Sequence, residues 1–201
     1  MKRKKNVKNL YKMINAKWYN PFRAFWSNFD KKAEIEFTYL LKSNLNLKSK
    51  ILDIGCGTGY NAGIIQNLPF KSYLGIDLTK EMLDIAEVKY GNDKRFDFKQ
   101  VDVTKGIKSR YDTIISTWVM SHLDSPSKVI NDAYAHLNNN GTLLFMFLTK
   151  PKWYVNFWFN PIIKRFSADY VQGKEIKAIK PKYLIKTYNY GLTSILYIKK
   201  R

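Results

Sequence analysis

Residues Ile51 to Tyr60 read I-L-D-I-G-C-G-T-G-Y: an apolar run, a carboxylate near its end and three glycines on alternate positions. The run from Ile51 to Ile54 has the length and β-branching of a buried parallel strand. Gly55, Gly57 and Gly59 let the backbone turn tightly and let a ligand approach it closely. A strand, a glycine turn and a helix form the first unit of a Rossmann-like domain, so the chain is read as an open, mostly parallel α/β sheet.

Two departures separate this turn from one that holds a dinucleotide. A G-x-G-x-x-G turn would carry glycine where Tyr60 stands, and its helix N-terminus receives a pyrophosphate. Asp53 at the mouth of the turn would repel a diphosphate but suits a ligand with an ammonium group and no phosphate. S-adenosylmethionine, with an amine and a cationic sulfonium, is such a ligand. From about Lys50 to Leu148 the chain resembles the class I S-adenosylmethionine-dependent methyltransferases of the small-molecule, type 11-like kind.

That resemblance implies a doubly wound, seven-stranded, mostly parallel sheet of order 3-2-1-4-5-7-6 with strand 7 antiparallel. Tyr73 to Ile76 reads as the second strand and ends in Asp77, about twenty residues beyond Gly57, the separation at which an acid meets ribose hydroxyls. Phe96 to Val101 reads as the third, followed by Asp102 and Val103, where the family reads adenine through the acid and the next backbone amide. The implied cofactor set is Asp53, Gly55, Cys56, Gly57, Gly59, Asp77, Leu78, Met82, Asp102, Val103 and Thr117. The short stretch from Asp102 to Arg110 allows a loop or one helical turn but no full helix.

Tyr111 to Thr117 reads as the fourth strand and runs into Trp118-Val119-Met120-Ser121-His122 at the ligand-binding end of the sheet. His122 is the candidate general base, with Asp124 near enough in sequence to orient it. Pro126 should start a helix through Leu137. Asn138 to Gly141 reads as a turn terminated by Gly141, with Thr142 to Leu148 as the fifth strand.

The chain divides into an N-terminal helical cap at 1–49, the cofactor-binding core at 50–148, an aromatic and basic lid insertion at 149–182 and a C-terminal hairpin at 183–201, within a single domain. Val7, Leu10, Tyr11 and Ile14 are spaced for one helix face and Phe22, Phe25, Trp26 and Phe29 for another. Asp30 is the expected N-cap of a third helix that turns Ala33, Phe37, Leu40 and Leu41 inward. Pro161 should interrupt any helix in the insertion. Tyr183 to Tyr190 and Thr193 to Lys199 read as strands six and seven, joined at Gly191. Trp18, Phe22, Trp26, Trp118, Trp153 and Phe157 are the candidate wall of a substrate pocket.

The net charge of +19 is unevenly placed: residues 1–50 carry +10, residues 51–147 carry −1 and residues 148–201 carry +10. A near-neutral core between basic, aromatic flanks suits a hydrophobic or lipid-like acceptor met at an anionic membrane surface. An RNA acceptor is the alternative, but Ser116-Thr117-Trp118-Val119 replaces the N/D-P-P-Y/F motif used on base amines. A cofactor-binding protein without catalysis is the third reading. One cysteine and two histidines supply no metal-ligand cluster and no internal disulfide, so a metal-free enzyme is expected. Without an apolar run of about 20 residues, a cytoplasmic location is expected, peripheral at the inner membrane surface if the flanks meet lipid.

Overall fold

A computed structural model of the protein describes residues 28–201, together with Asn6, Asn9, Pro21 and Arg23. Seven strands, β1 (Lys50–Ile54), β2 (Ser72–Asp77), β3 (Phe96–Gln100), β4 (Tyr111–Thr117), β5 (Leu137–Leu148), β6 (Leu184–Tyr188) and β7 (Thr193–Lys199), form one sheet. Their order is β3-β2-β1-β4-β5-β7-β6, as expected, and β7 runs antiparallel to both of its neighbours. Among the described residues these helices accompany them: α1 (Lys31–Ser43), α2 (Tyr60–Ile65), α3 (Lys80–Tyr90), α4 (Pro126–Ala135), α5 (Trp153–Arg165) and α6 (Gly173–Lys177). Only a 3-10 turn, Val103–Lys105, bridges β3 toward β4, so the short crossover holds no full helix.

Alternation along the strands divides the core into two layers. Leu52, Ile54, Ile114, Leu143 and Phe145 pack with Val129, Ile130 and Ala133 of α4 on one face. Ile51, Tyr73, Ile115, Leu144 and Met146 pack with Ala33, Phe37 and Leu41 of α1 and Ala62 and Ile65 of α2 on the other. The alternation fixes the fate of Asp53. It lies two residues from Ile51 on the same face, so its side chain turns into the α2 layer and is fully buried there.

Several local expectations are corrected. Strand β5 begins at Leu137, because Leu137 pairs with Tyr111 across a bulge before the regular register resumes at Thr113 and Thr142. Within the turn it is Asn140, with φ 59°, that takes the left-handed conformation, and Gly141 does not. Gly141 serves close approach instead: a Cβ there would lie 2.8 Å from the Asn138 carbonyl oxygen and 3.1 Å from that of Asp112. Asp112 anchors the corner, accepting from Lys50 N at 2.8 Å and Asn138 Nδ2 at 2.7 Å.

Asp30 precedes α1 but makes no side-chain cap. Its buried carboxylate accepts from Asn189 Nδ2 at 2.5 Å, tying α1 to the β6–β7 connection, and burial raises its pKa to about 6. That connection places Asn189, Tyr190 and Gly191 at positive φ, a longer turn than a two-residue hairpin. Helix α5 continues through Pro161 without interruption. The proline removes the amide that would meet the Phe157 carbonyl, and Pro161 and Phe157 both lie on the exposed side, where water can take that bond. Of the expected helices over Val7–Ile14 and Phe22–Phe29, Asn9, Arg23, Asn28 and Phe29 are described and are helical, and the other positions lie outside the described residues.

Candidate functional site

The carboxyl ends of β1, β2, β3 and β4 converge on one cavity. Gly55 N and Cys56 N both donate to the Ile76 carbonyl, at 2.7 and 3.1 Å, which folds the glycine loop over the tip of β2. Gly55, Gly57 and Gly59 have φ of 69°, 54° and 82°, a region that side-chain-bearing residues avoid. A Cβ on Gly55 would stand 1.9 Å from Val119 Cγ2, so its absence lets the segment after β4 close onto the loop.

Asp77 holds the loop from below. Its Oδ2 accepts from Gly57 N at 3.1 Å and its Oδ1 from Thr79 N at 2.8 Å. Burial raises its pKa, and those backbone donors oppose the rise by favouring the carboxylate. Asp102, at the tip of β3, accepts through Oδ1 from Thr104 N at 3.0 Å and Thr104 Oγ1 at 2.7 Å, which fixes the acid at the cavity's far end.

Of the residues expected at a cofactor, Gly55, Gly57, Asp77, Leu78, Met82, Asp102, Val103 and Thr117 line this cavity. Asp53, Cys56 and Gly59 do not. Asp53 Oδ2 accepts from the Tyr73 hydroxyl at 2.6 Å, and Asn61 Nδ2 donates to its oxygens at 3.2 and 3.1 Å. Burial lifts Asp53 to about 7 and carries the Tyr73 phenol well above its usual range. Cys56 packs behind the loop, and its buried thiol is likewise pushed up. Gly59 makes room for Tyr90, whose ring would lie 2.6 Å from a Cβ at that position.

Sequence reasoning missed Ile54, Ile76, Thr79, Val101, Val119 and Leu123 in the lining. Ile76 and Val101 each precede a tip acid, and that adjacency was the available signal. Asp77, Asp102 and His122 are the ionisable groups among the described lining residues, and no lysine or arginine joins them, although the chain carries +19. The apolar remainder, including Ile76, Leu78, Met82, Val101 and Val103, suits a flat ring between the two acids.

His122 lies in the wall contributed by the 3-10 turn Val119–His122. Its Nδ1 is 3.4 Å from the Ser167 carbonyl, in the segment after α5. A proton on Nδ1 makes that contact a hydrogen bond and leaves Nε2 as the basic nitrogen. Asp124 lines a neighbouring cavity with Thr104, Lys128 and Asp132.

Among the described candidates for the substrate wall, Trp118 is the one that lines the cavity, and it does so at φ 72°. Trp153 and Phe157 point to solvent, away from it, because α5 turns Ile163 inward and these two outward. Trp18, Phe22 and Trp26 lie outside the described residues. Arg23, which no motif marks, lies beside Trp118: it is buried, pairs with Glu34 at 2.8 Å and stacks 3.8 Å over the Tyr60 ring. Among the described residues no group of three or more His, Cys, Asp or Glu is placed to hold a metal ion.

A sheet of this order, with a glycine loop and tip acids around a cavity that has no lysine or arginine among its described lining residues, defines a Rossmann-like fold of the methyltransferase type. Residues 52–143 match the family model of a methyltransferase domain. The matched stretch carries the glycine loop and the tip acids Asp77 and Asp102, and in it the chain resembles the class I S-adenosylmethionine-dependent methyltransferases.

It is 34% identical over 101 residues to a malonyl-[acyl-carrier protein] O-methyltransferase of Halalkalibacterium halodurans, an alignment covering 47% of this chain and 37% of that protein. It is 26% identical over 179 residues to the protein of the same name from Bacillus cereus, covering 87% and 62%. The chain thus matches less than two thirds of either relative's length. The fold is shared with magnesium protoporphyrin IX methyltransferase from Synechocystis with bound S-adenosylhomocysteine, at a TM-score of 0.69, 16% identity and coverage of 98% of this chain and all of that one.

Proposed function

We propose that this protein transfers a methyl group from S-adenosylmethionine to an O, N or C atom of a hydrophobic or lipid-like small molecule. One observation carries the reading: a cavity at the strand tips whose acids face no lysine or arginine among the described lining residues of a strongly basic chain. Such a site favours a cationic ligand without phosphates.

In this reading Asp77 accepts from the ribose hydroxyls, while Asp102 and the Val103 amide read the adenine. Leu78, Met82 and Thr117 enclose the rest. Gly55 and Gly57 keep the loop thin enough for close approach. Asp53 acts at one remove, holding Asn61 and Tyr73 beneath the loop, so the ammonium-binding role that its sequence position suggested passes to the loop backbone. The bound cofactor supplies a methyl carbon already activated by its sulfonium.

The chain's own work is therefore to align the acceptor and exclude water. Trp118 walls the acceptor side, and His122 Nε2 takes a proton when the acceptor must lose one. If His122 is that base, His122→Ala should lower turnover about 100-fold or more while S-adenosylhomocysteine affinity stays within about twofold. Unchanged turnover would remove His122 from the chemistry.

The names of the two curated relatives favour a second form of the acceptor, a carboxylate on an acyl-carrier protein. Release of S-adenosylhomocysteine with a malonylated carrier, set against release with a lipid extract and with RNA, decides among the three acceptors. No release with any of them would leave binding without catalysis.

A further inference from the structure

We propose that the exposed face of α5 docks on an anionic lipid bilayer. Trp153 is 81% exposed and Phe157 and Trp158 are each 72% exposed, with Tyr154 and Ile162 also open to solvent. Large apolar side chains are seldom left out in such a cluster unless the surface meets something. The other exposed positions of the helix are Pro161, Lys164 and Arg165, and none is acidic. Lys150 and Lys152 precede the helix, and all four basic residues are exposed. Asp169, which pairs with Lys164 at 2.8 Å, is the acid on this surface.

The chemistry distinguishes a bilayer from the other occupants. Tryptophan and tyrosine with lysine and arginine at both ends is the composition of a helix lying in the headgroup plane. Thirteen residues are too few to cross a membrane, and no described helix is long and apolar enough to do so. The aromatic pairs Trp153–Tyr154 and Phe157–Trp158 meet edge to face at 86° and 89°, so neither pair offers the parallel platforms on which successive bases stack. Tyr190, 67% exposed, extends the cluster through its contact with Tyr154 at 5.9 Å. A second copy meeting the same face would set its own Lys150, Lys152, Lys164 and Arg165 against these four.

The location also serves the proposed reaction. α5 ends at Arg165, and two residues later the Ser167 carbonyl meets His122, while Asp169 N donates to the Ser121 carbonyl at 2.7 Å. Docking α5 therefore holds the cavity wall at the surface from which a lipid-like acceptor would arrive. The inference deepens the proposed function only in that respect, and surface binding is measured independently of methyl transfer.

Co-sedimentation of the full chain with vesicles of phosphatidylcholine containing one third phosphatidylglycerol is the test. Binding should fall at least about tenfold when phosphatidylcholine is used alone, and at least about tenfold in the W153S/F157S/W158S variant on the mixed vesicles. Calorimetry should show that the variant keeps wild-type S-adenosylhomocysteine affinity, which separates loss of docking from loss of fold. Equal sedimentation of variant and wild type would overturn the proposal, as would equal binding to neutral vesicles. Concentration-dependent self-association, or binding to single-stranded RNA, that is abolished by the variant in place of vesicle binding would reassign the face and overturn it too. Failure of S-adenosylhomocysteine binding in the wild type with vesicle binding intact would instead count against the methyltransferase reading alone.

Discussion

Helices α3 and α5 are of similar length, eleven and thirteen residues, yet they show solvent opposite kinds of surface. α3 buries Met82, Leu83 and Ala86 and exposes Lys80, Glu81, Asp84, Glu87 and Lys89, with Val88 as the single apolar exception. α5 buries only Ile163 fully and exposes its aromatics. The first helix is finished once it packs on the sheet; the second still has apolar surface to cover. The same contrast runs through the two halves of the site. On the cofactor side each acid is held by named donors, Asp77 by Gly57 and Thr79, Asp53 by Tyr73 and Asn61, Asp102 by Thr104. The acceptor side is built from Trp118, His122 and the segment after α5, where the Ser167 carbonyl lies 3.4 Å from His122 Nδ1 and Asp169 N donates to the Ser121 carbonyl.

If the cofactor half is the tightly specified one, its substitutions should dominate. Asp77→Ala should weaken S-adenosylhomocysteine binding by about 100- to 1,000-fold, some 3–4 kcal/mol, because it removes a ligand acid and frees two loop amides at once. Titration calorimetry reads this directly, and a loss below threefold would erase the distinction between the halves. Gly55→Ala forces a side chain into φ 69° and against Val119. It should lower unfolding stability by about 3 kcal/mol, measured by urea denaturation.

The buried acids give the comparison a pH signature. Asp53 and Asp30 are raised by burial to about 7 and about 6, above their unfolded value of 3.8. The folded state therefore binds more protons than the unfolded one between those limits. Their contribution is present in full below about pH 4 and is lost progressively as pH rises, up to about 6 for Asp30 and about 7 for Asp53. Asp53→Asn should flatten the part of the decline near pH 7 in melts of the unliganded protein; an unaltered slope would show that Asp53 ionises freely. Asp102→Ala is the smallest of these changes, about tenfold in S-adenosylhomocysteine affinity, or about 1.4 kcal/mol, because one hydrogen-bonding acid is lost without disturbing the glycine loop.

The cofactor half was largely legible in the sequence because backbone geometry dictates it. Three glycines at positive φ, and Asp77 and Asp102 at strand tips, leave few arrangements open, and the strand order follows from the fold that such a turn starts. Asp53 shows where that reading stops. A strand places alternate side chains on opposite faces, and the residue two beyond Ile51 belongs to the α2 layer, so the acid that first suggested a cation lies behind the loop. Parity along β1 could have revealed this.

The acceptor half was less legible because it depends on contacts distant in sequence. The spacing of Trp153 and Phe157 marks a helix but not which side of it meets the sheet, and Ile163 decides that. The Ser167–His122 contact joins residues 45 apart, and Arg23 reaches Glu34 and Tyr60 from the N-terminal segment without any motif. Pro161 was read as a breaker because interior proline removes an amide, a cost that is small where the orphaned carbonyl faces water.

The ligand of the strand-tip cavity is the point on which both halves depend. Calorimetric titration of the full chain with S-adenosylhomocysteine, alongside NAD and ATP, should give one saturable site for the first and none for the two phosphate-bearing nucleotides, with the site lost in Asp77→Ala. Tight uptake of NAD or ATP with no heat from S-adenosylhomocysteine would contradict the account.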